Sequence, residues 1–306
     1  MVPLKSAPER REKGWLSMFQ IIGIVLLFAM VFGGYLFAGG KMGVITHALP
    51  YEMMIIGGAA IAALLISSST STLKGVLGGL GKVFAGPKWK KGDYRDLLSL
   101  LFQLTKTMKS KGVIALESHI EKPAESTIFQ KYPKILKDHF ATDFICDTLR
   151  MMTMNLEDPH QVEDAMEKQL EKHHHEALAP AHALQNTADA LPALGIVAAV
   201  LGVIKTMAAI TEPPEILGGM IGGALVGTFL GVFLAYGLVG PLATRLKEII
   251  DGDAAYYKII QSVLVAHLHG NAAQISVEIG RGDVPSTAQP SFAELEEALA
   301  DVGAAV

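Results

Sequence analysis

The chain has 306 residues, of which 50% are hydrophobic and 18% charged, and its mean hydropathy is +0.36. This composition excludes an ordinary soluble domain of that size and indicates segments that lie in lipid. The net charge is −4, and the basic residues gather beside apolar runs, so we expect no nucleic-acid partner. The single cysteine, Cys146, excludes an intrachain disulfide and a multi-cysteine metal site, and we expect a buried, reduced thiol.

Two apolar runs near the start of the chain predict two transmembrane helices, over 19–38 and 51–69. Each is close to the ~20 residues that cross the hydrocarbon core. We expect the first to be retained, because it is longer than the ~7–15-residue core of a signal peptide. Basic residues are concentrated in the segment 1–18, which we call the basic extension. A second group of basic residues follows the second run. The positive-inside rule therefore predicts that both flanks are cytoplasmic and that the loop 39–50 is periplasmic.

The charged segment 70–190 predicts a cytoplasmic helical domain, because Leu97, Leu101, Leu104 and Met108 recur at spacings of three and four. The run 173–175 consists of three histidines, but consecutive helical positions point in different directions. We interpret it as a solvated helix face and predict no metal site. The sequence has neither a nucleotide-binding glycine loop nor a nucleophile elbow, which argues against an enzyme.

Two further spans are predicted over 191–209 and 216–242, and the short loop 210–215 makes them an antiparallel hairpin. Basic residues directly after the fourth span place the tail 243–306 in the cytoplasm, as C-terminal helices that end in a capping box of Ser291 and Glu294. The predicted fold is all-α, with four transmembrane helices and a large cytoplasmic helical domain. It belongs in the bacterial inner membrane, with both termini cytoplasmic.

Glycines recur every fourth residue along the fourth predicted span, at Gly219, Gly223, Gly227 and Gly231. Such a helix face lets another helix approach closely in lipid. The pattern leaves two interpretations open, namely packing within this chain, or a face that lines an oligomer axis or grips a partner helix.

Ionisable residues are sparse in the predicted spans. Apart from Lys205, near the outer end of the third span, we expect none to be buried there. A proton relay normally uses an intramembrane carboxylate. The sequence therefore predicts either that another polypeptide supplies the titrating group or that the chain is a scaffold.

From Met18 to about Val302 the chain resembles MotA-type stator proteins of the MotA/TolQ/ExbB proton channel superfamily. The resemblance is carried by segments in both the apolar and the charged parts: 31–36, 96–101, 116–117, 132–133, 191–200, 226–231, 241–244, 277–281 and 290–292. It implies a ring, expected to be a pentamer, around a dimer of a MotB-type subunit that is anchored to peptidoglycan and supplies the ion-binding aspartate. Ion flow would turn the ring against a rotor switch-complex protein, without a cofactor. Residues 1–17 precede the usual family start, so they are either native or an upstream start-codon assignment.

The resemblance places Lys109 and Glu117 at the positions of the charges that meet the rotor. The basic residue is usually arginine, and lysine keeps the charge but loses the planar bidentate geometry. Without the family, two solvated helix charges would be the simpler interpretation.

Four further positions carry over from the family. Pro192 and Pro241 match the prolines that couple ion flow to movement, although each also stands where a membrane helix would begin or end. Thr228 matches a threonine beside the ion route, and Ala199 stands where sodium-type relatives tend to have a second threonine. Alanine offers no oxygen ligand to a hard cation, so we expect the translocated ion to be H⁺.

Two alternatives remain at this point. An ExbB/TolQ-type energiser of outer-membrane processes usually has three spans and an outside N-terminus, unlike the layout here. A passive scaffold or a solute transporter is the other. A transporter should show broken helices or internal repeats, and the sequence shows neither.

Overall fold

A computed structural model describes residues 9–154 and 158–303 of the chain. Every regular element within these ranges is helical, which confirms the predicted all-α membrane fold. The basic extension 1–18 lies largely outside the described part, since residues 1–8 and the side chains of residues 9–17 are not covered. The chain divides into two compact units, 1–86 with 177–249 and 87–176 with 250–306. We call them the membrane unit and the charged unit.

The membrane unit contains four helices that are long and apolar enough to cross a membrane. They are α1 (Glu9–Phe37), α2 (Met42–Ser67), the C-terminal part of α8 (Pro159–Ala208), and α9 (Pro214–Val232) with the elements that continue it. A π-helical segment, Phe233–Val239, joins α9 to α10 (Gly240–Leu268). The amphipathic helix α3 (Thr70–Ala85) completes this unit.

Large apolar side chains cover the outside of the membrane unit. In water such an exposed surface would drive aggregation, whereas in lipid it matches the solvent. Exposed examples come from each spanning helix: Phe19, Val25, Met54, Ile61, Val197, Ile204, Ile221 and Leu225. The four spans therefore expose a largely apolar surface, which suits contact with lipid or with other membrane helices.

The charged unit has an apolar core of its own. It is built from α4 (Lys91–Lys111), α5 (Glu117–Glu121), α6 (Pro133–Leu136), α7 (His139–Thr153), the remaining parts of α8 and α10, α11 (Ala273–Gly282) and α12 (Phe292–Gly303). The leucine period of α4 is confirmed, because Leu97, Leu101 and Leu104 are fully buried. The predicted capping box also forms, since Glu294 N–H donates to Ser291 Oγ at 3.2 Å and Ser291 N–H donates to Glu294 Oε2 at 2.7 Å.

Two segments of the predicted cytoplasmic domain pack against helices of the membrane unit. A Cβ atom at Gly75 of α3 would lie 2.4 Å from the ring of Pro180, and one at Gly79 would lie 2.7 Å from Leu246. Glycine lets α3 contact α8 and α10 closely, because it has no side chain to hold them apart. Residues 70–85 and 177–190 are therefore structurally part of the membrane unit.

Candidate functional site

The glycines of α9 bring it into backbone contact with α8. A Cβ atom at Gly231 would lie 2.6 Å from the Leu191 carbonyl oxygen and 2.9 Å from the Gly195 Cα atom. One at Gly195 would lie 2.9 Å from the Gly227 carbonyl oxygen. These distances leave no room for a methyl group, so the two helices cross where both lack a side chain.

The remaining glycines of this face have different neighbours. A Cβ atom at Gly223 would lie 3.8 Å from the Cβ of Ala48 on α2, an ordinary contact, whereas one at Gly219 would meet nothing within 4 Å. Close contacts inside the chain thus account for glycine at Gly227 and Gly231, whereas a Cβ atom would fit at Gly223. For Gly219, contact with a further helix stays a prediction.

Glu52 lies in the interior of the membrane unit, and here the expectation that the spans bury no ionisable residue other than Lys205 was wrong. Glu52 is 7% exposed, and its Oε2 atom has no hydrogen-bond partner within the described ranges. The error arose at Pro50. The predicted second span begins at position 51, directly after this proline, whereas α2 starts at Met42 and continues through it. This shift moves Glu52 from the edge of the predicted span to the middle of a helix.

The Glu52 carboxylate reaches the glycine face of α9. A Cβ atom at Gly227 would lie 2.6 Å from Glu52 Oε2, 3.1 Å from the Ala198 Cβ and 3.3 Å from the Ala199 amide nitrogen. Thr228, the next residue of α9, is partly buried, as is Ala199. The structure therefore brings Ala199 and Gly227 together, next to Thr228, and adds a carboxylate at the same level.

A cavity of about 840 Å³ leads from Glu52 towards the end of the unit that carries the two short interhelical loops. Its walls come from α2, α8 and α9 and are mostly apolar, and Gly219 and Gly223 form part of them. Its titratable lining groups are few: His47, Tyr51, Glu52 and Lys205. His47 and Lys205 are exposed.

The two prolines lie within continuous helical structure, not at helix ends. Pro192 lies inside α8, next to Leu191, whose carbonyl faces Gly231. Pro241 is the second residue of α10, and Gly240, the residue between it and the π-helical segment, donates its N–H to the Ala235 carbonyl. Proline lacks the donor for a carbonyl four residues earlier, and membrane helices tolerate this loss through local readjustment. The π-helical segment had no signal in the sequence that we recognised.

Lys109 and Glu117 are exposed on the charged unit, on either side of a turn at Gly112. Lys109 is in the last turn of α4, and Glu117 begins α5. Gly112 has φ +82° and ψ 166°, a conformation almost restricted to glycine, and it ends α4 abruptly. No salt bridge joins Lys109 or Glu117 to another residue of the described ranges, so both charges face outward.

The three consecutive histidines do not form a uniform solvated face. The ring of His173 stacks on Phe140 with centroids 3.5 Å apart, and His174 Nε2 lies 3.2 Å from Asp251 Oδ1, whereas His175 is exposed. Within 9–154 and 158–303, no group of three histidine, cysteine or acidic residues could hold a metal ion. Cys146 is buried, which raises the pKa of its thiol to about 12.

Two segments of this chain match known protein families. Residues 21–112 match the family described as Motility protein A N-terminal, and residues 136–258 match the MotA/TolQ/ExbB proton channel family. Motility protein A of Salmonella typhimurium is 40% identical over 280 residues, which cover 92% of this chain and 94% of the relative. Chemotaxis protein LafT of Vibrio parahaemolyticus is 36% identical over 284 residues, covering 93% of this chain and 99% of the relative.

Solved structures have the same fold. The C. jejuni MotAB structure matches with a TM-score of 0.66 at 20% identity, over 87% of this chain and 95% of that chain. The flagellar MotAB stator complex of Bacillus subtilis matches with a TM-score of 0.57 at 23% identity, over 84% and 92%. With its four apolar helices and its matches over nearly the whole length, the chain belongs to the motility protein A family of inner-membrane proteins, within the MotA/TolQ/ExbB proton channel family.

Proposed function

We propose that this chain is a stator subunit of a bacterial flagellar motor and that it converts ion flow into rotation of the rotor. The observation that carries the proposal is the 40% identity to motility protein A over 92% of the chain. In this role the chain surrounds a MotB-type partner as a ring, expected to be a pentamer. It acts as a channel subunit and not as an enzyme.

Its orientation in the inner membrane follows from loop charge. Both termini and the charged unit are cytoplasmic, because lysines and arginines cluster before the apolar part of α1, after α2 and after the fourth span. The loops 38–41 and 209–213 are then periplasmic. The cavity that ends at Glu52 opens on that side of the membrane.

The translocated ion is H⁺. A sodium ion needs several oxygen ligands, whereas Gly227, which lies against the Glu52 carboxylate, and its neighbours Ala198 and Ala199 have no side-chain oxygen. Pro192 and Pro241 are the coupling elements in this proposal, because each lies within continuous helical structure and removes a backbone hydrogen-bond donor there. The exposed charges of Lys109 and Glu117 contact the rotor switch-complex protein in this proposal.

Deletion of the gene tests the motor assignment. We expect cells that still assemble filaments but do not swim, with swimming restored by the wild-type gene on a plasmid. Filaments are scored by electron microscopy and swimming by tracking. Normal swimming of the deletion strain would refute the assignment. Swimming that follows a sodium gradient after collapse of the proton gradient would refute H⁺ as the ion.

Charge reversal at Glu117 tests the rotor face. Glu117→Lys is expected to lower the swimming speed to less than about half. Reversing a charge at an interface places like charges opposite each other, which costs several kcal/mol. The amount of protein in the membrane should not change, since the side chain is exposed. Glu167→Lys is the matched control, with the same charge change at an exposed position on α8. Equal swimming of the two variants would remove Glu117 from the proposed rotor contact.

The ExbB/TolQ-type alternative is tested by the same deletion strain. An energiser of outer-membrane processes would leave swimming intact and impair growth that depends on outer-membrane uptake. Four candidate spans and the exposed pair Lys109 and Glu117 favour the stator over this alternative.

A further inference from the structure

No hydrogen bond within the described part of the fold explains why position 52 carries a carboxylate. Glu52 is 7% exposed, and Oε2 receives no hydrogen bond from any described residue. An unpaired acidic group inside a membrane bundle lowers stability, and such residues typically mark ion routes or proton relays. Packing does not explain the residue either, because a glutamine or leucine would fill the same space without a charge.

The surroundings of this carboxylate suit a proton better than a metal cation. The carboxylate lies against Gly227 of α9, and the same Gly227 position is bordered by the Ala198 methyl group and the helical amide of Ala199 on α8. None supplies a second oxygen ligand, whereas a hard cation needs several. A proton needs only the carboxylate itself. The absence of a side chain at Gly227 leaves room for Glu52, since a Cβ atom there would lie 2.6 Å from Oε2.

Access to Glu52 is provided by the cavity of about 840 Å³. It is wide enough for several water molecules, and its polar groups lie on two of the three helices that form it. His47 and Tyr51 come from α2, as does Glu52, and Lys205 comes from α8. The lining residues contributed by α9 carry no titratable group. Glu52 is thus the only carboxylate among the described lining residues.

We propose that Glu52 is a proton-accepting residue of this subunit, placed in the ion pathway ahead of the acidic group that the partner supplies. Its carboxylate takes a proton from a hydronium ion in the cavity and leaves water. It later releases that proton to water on the way to the partner, so the group returns to its starting state. The inference rests on the proposed channel function and adds a second acidic residue, from this chain, to the route.

The test uses the full complex with its partner, expressed in the deletion strain, and compares Glu52→Gln with Glu52→Asp. Proton influx is measured with a pH-sensitive fluorescent protein in the cytoplasm, and swimming speed is recorded against external pH. Glutamine keeps the shape but cannot carry the proton, whereas aspartate keeps the acid on a shorter side chain. Glu212→Gln, in the exposed interhelical loop, removes the same charge outside the cavity.

We expect Glu52→Gln to reduce the influx by at least about tenfold, because positioned proton-transfer groups contribute ~10²-fold or more where the transfer limits the rate. Glu52→Asp should restore part of the influx and alter the dependence of swimming on external pH. Glu212→Gln should match the wild type. Co-purification of the partner should be equal in all variants.

Three other results would overturn either the role of Glu52 or the channel function. Wild-type influx in Glu52→Gln would overturn the role of Glu52 and leave the channel function intact. Loss of partner co-purification in both Glu52→Gln and Glu52→Asp would assign the residue a structural role and also overturn the proposal. No proton influx through the wild-type complex would refute the channel function itself, independently of Glu52.

Discussion

Replacement of Gly231 by alanine is expected to disrupt the membrane unit and abolish swimming. The added methyl group would lie 2.6 Å from the Leu191 carbonyl oxygen and 2.9 Å from the Gly195 Cα atom. Both are backbone atoms, so no side chain can rotate away to make space. Overpacking costs ~1–3 kcal/mol where neighbours can shift, and we expect the upper end of this range here. Thermal unfolding of the detergent-purified complex and swimming in soft agar measure the effect.

Gly218→Ala provides the comparison on the same helix. A Cβ atom at Gly218 would meet nothing within 4 Å inside the chain. Alanine is also favoured over glycine in helices by up to ~1 kcal/mol, so this variant should unfold at or above the wild-type temperature. If Gly231→Ala unfolded at the same temperature as Gly218→Ala, the close crossing of α8 and α9 would be incorrect.

Replacement of Asp138 by alanine is expected to destabilise the charged unit strongly. Asp138 caps α7 by accepting a hydrogen bond from Ala141 N–H at 2.7 Å, and it also accepts from Lys88 Nζ and from the Tyr257 hydroxyl at 3.1 Å. Loss of the cap and of a buried hydrogen-bond acceptor should cost on the order of 3 kcal/mol. Trp89, which stacks on Tyr256 with centroids 3.8 Å apart, reports unfolding of this unit through its fluorescence.

The contribution of Asp138 depends on pH. Burial alone would raise the pKa of its carboxyl, but the hydrogen bonds from Lys88, Ala141 and Tyr257 outweigh burial and hold the pKa below its ordinary value. A lowered pKa in the folded state stabilises the protein above the pKa of the unfolded chain, about 3.9, and this stabilisation disappears as the pH falls through the folded value. The stability difference between wild type and Asp138→Asn should therefore shrink below about pH 4.

The matched control for Asp138 is Asp143→Ala, at an exposed position of the same helix. It should change the unfolding temperature little, as most surface substitutions do. A loss of stability in Asp143→Ala equal to that in Asp138→Ala would show that helix charge, and not the buried network, is responsible.

Hydropathy predicted the four membrane helices well, because the length of an apolar run is a local property of the chain. Helix α1 ends at Phe37, against a predicted 38, and the link between α8 and α9 covers 209–213, against a predicted 210–215. The fold class and the family could likewise be recognised from the sequence alone. Local patterns are sufficient for such conclusions.

Pairwise contacts could not be predicted in the same way. The four-residue glycine period indicated a close helix contact, but only the structure distinguishes Gly231 against α8 from Gly223 against α2. Pro50 misled us because proline usually marks a helix boundary, whereas the first turns of α2 continue past it. For that reason Glu52 was not recognised as a candidate site residue, although a glutamate beside an apolar run was visible in the sequence.

The buried cysteine has a practical consequence for measuring motion in this protein. With a pKa of about 12 and a buried position, the Cys146 thiol is almost entirely protonated at neutral pH, and thiolate is the species that reacts with maleimides. The natural chain therefore behaves towards such reagents nearly as a cysteine-free background. A fluorophore attached to a new cysteine at Lys109, on the exposed face of α4, would follow that surface in the assembled complex without removal of the native thiol.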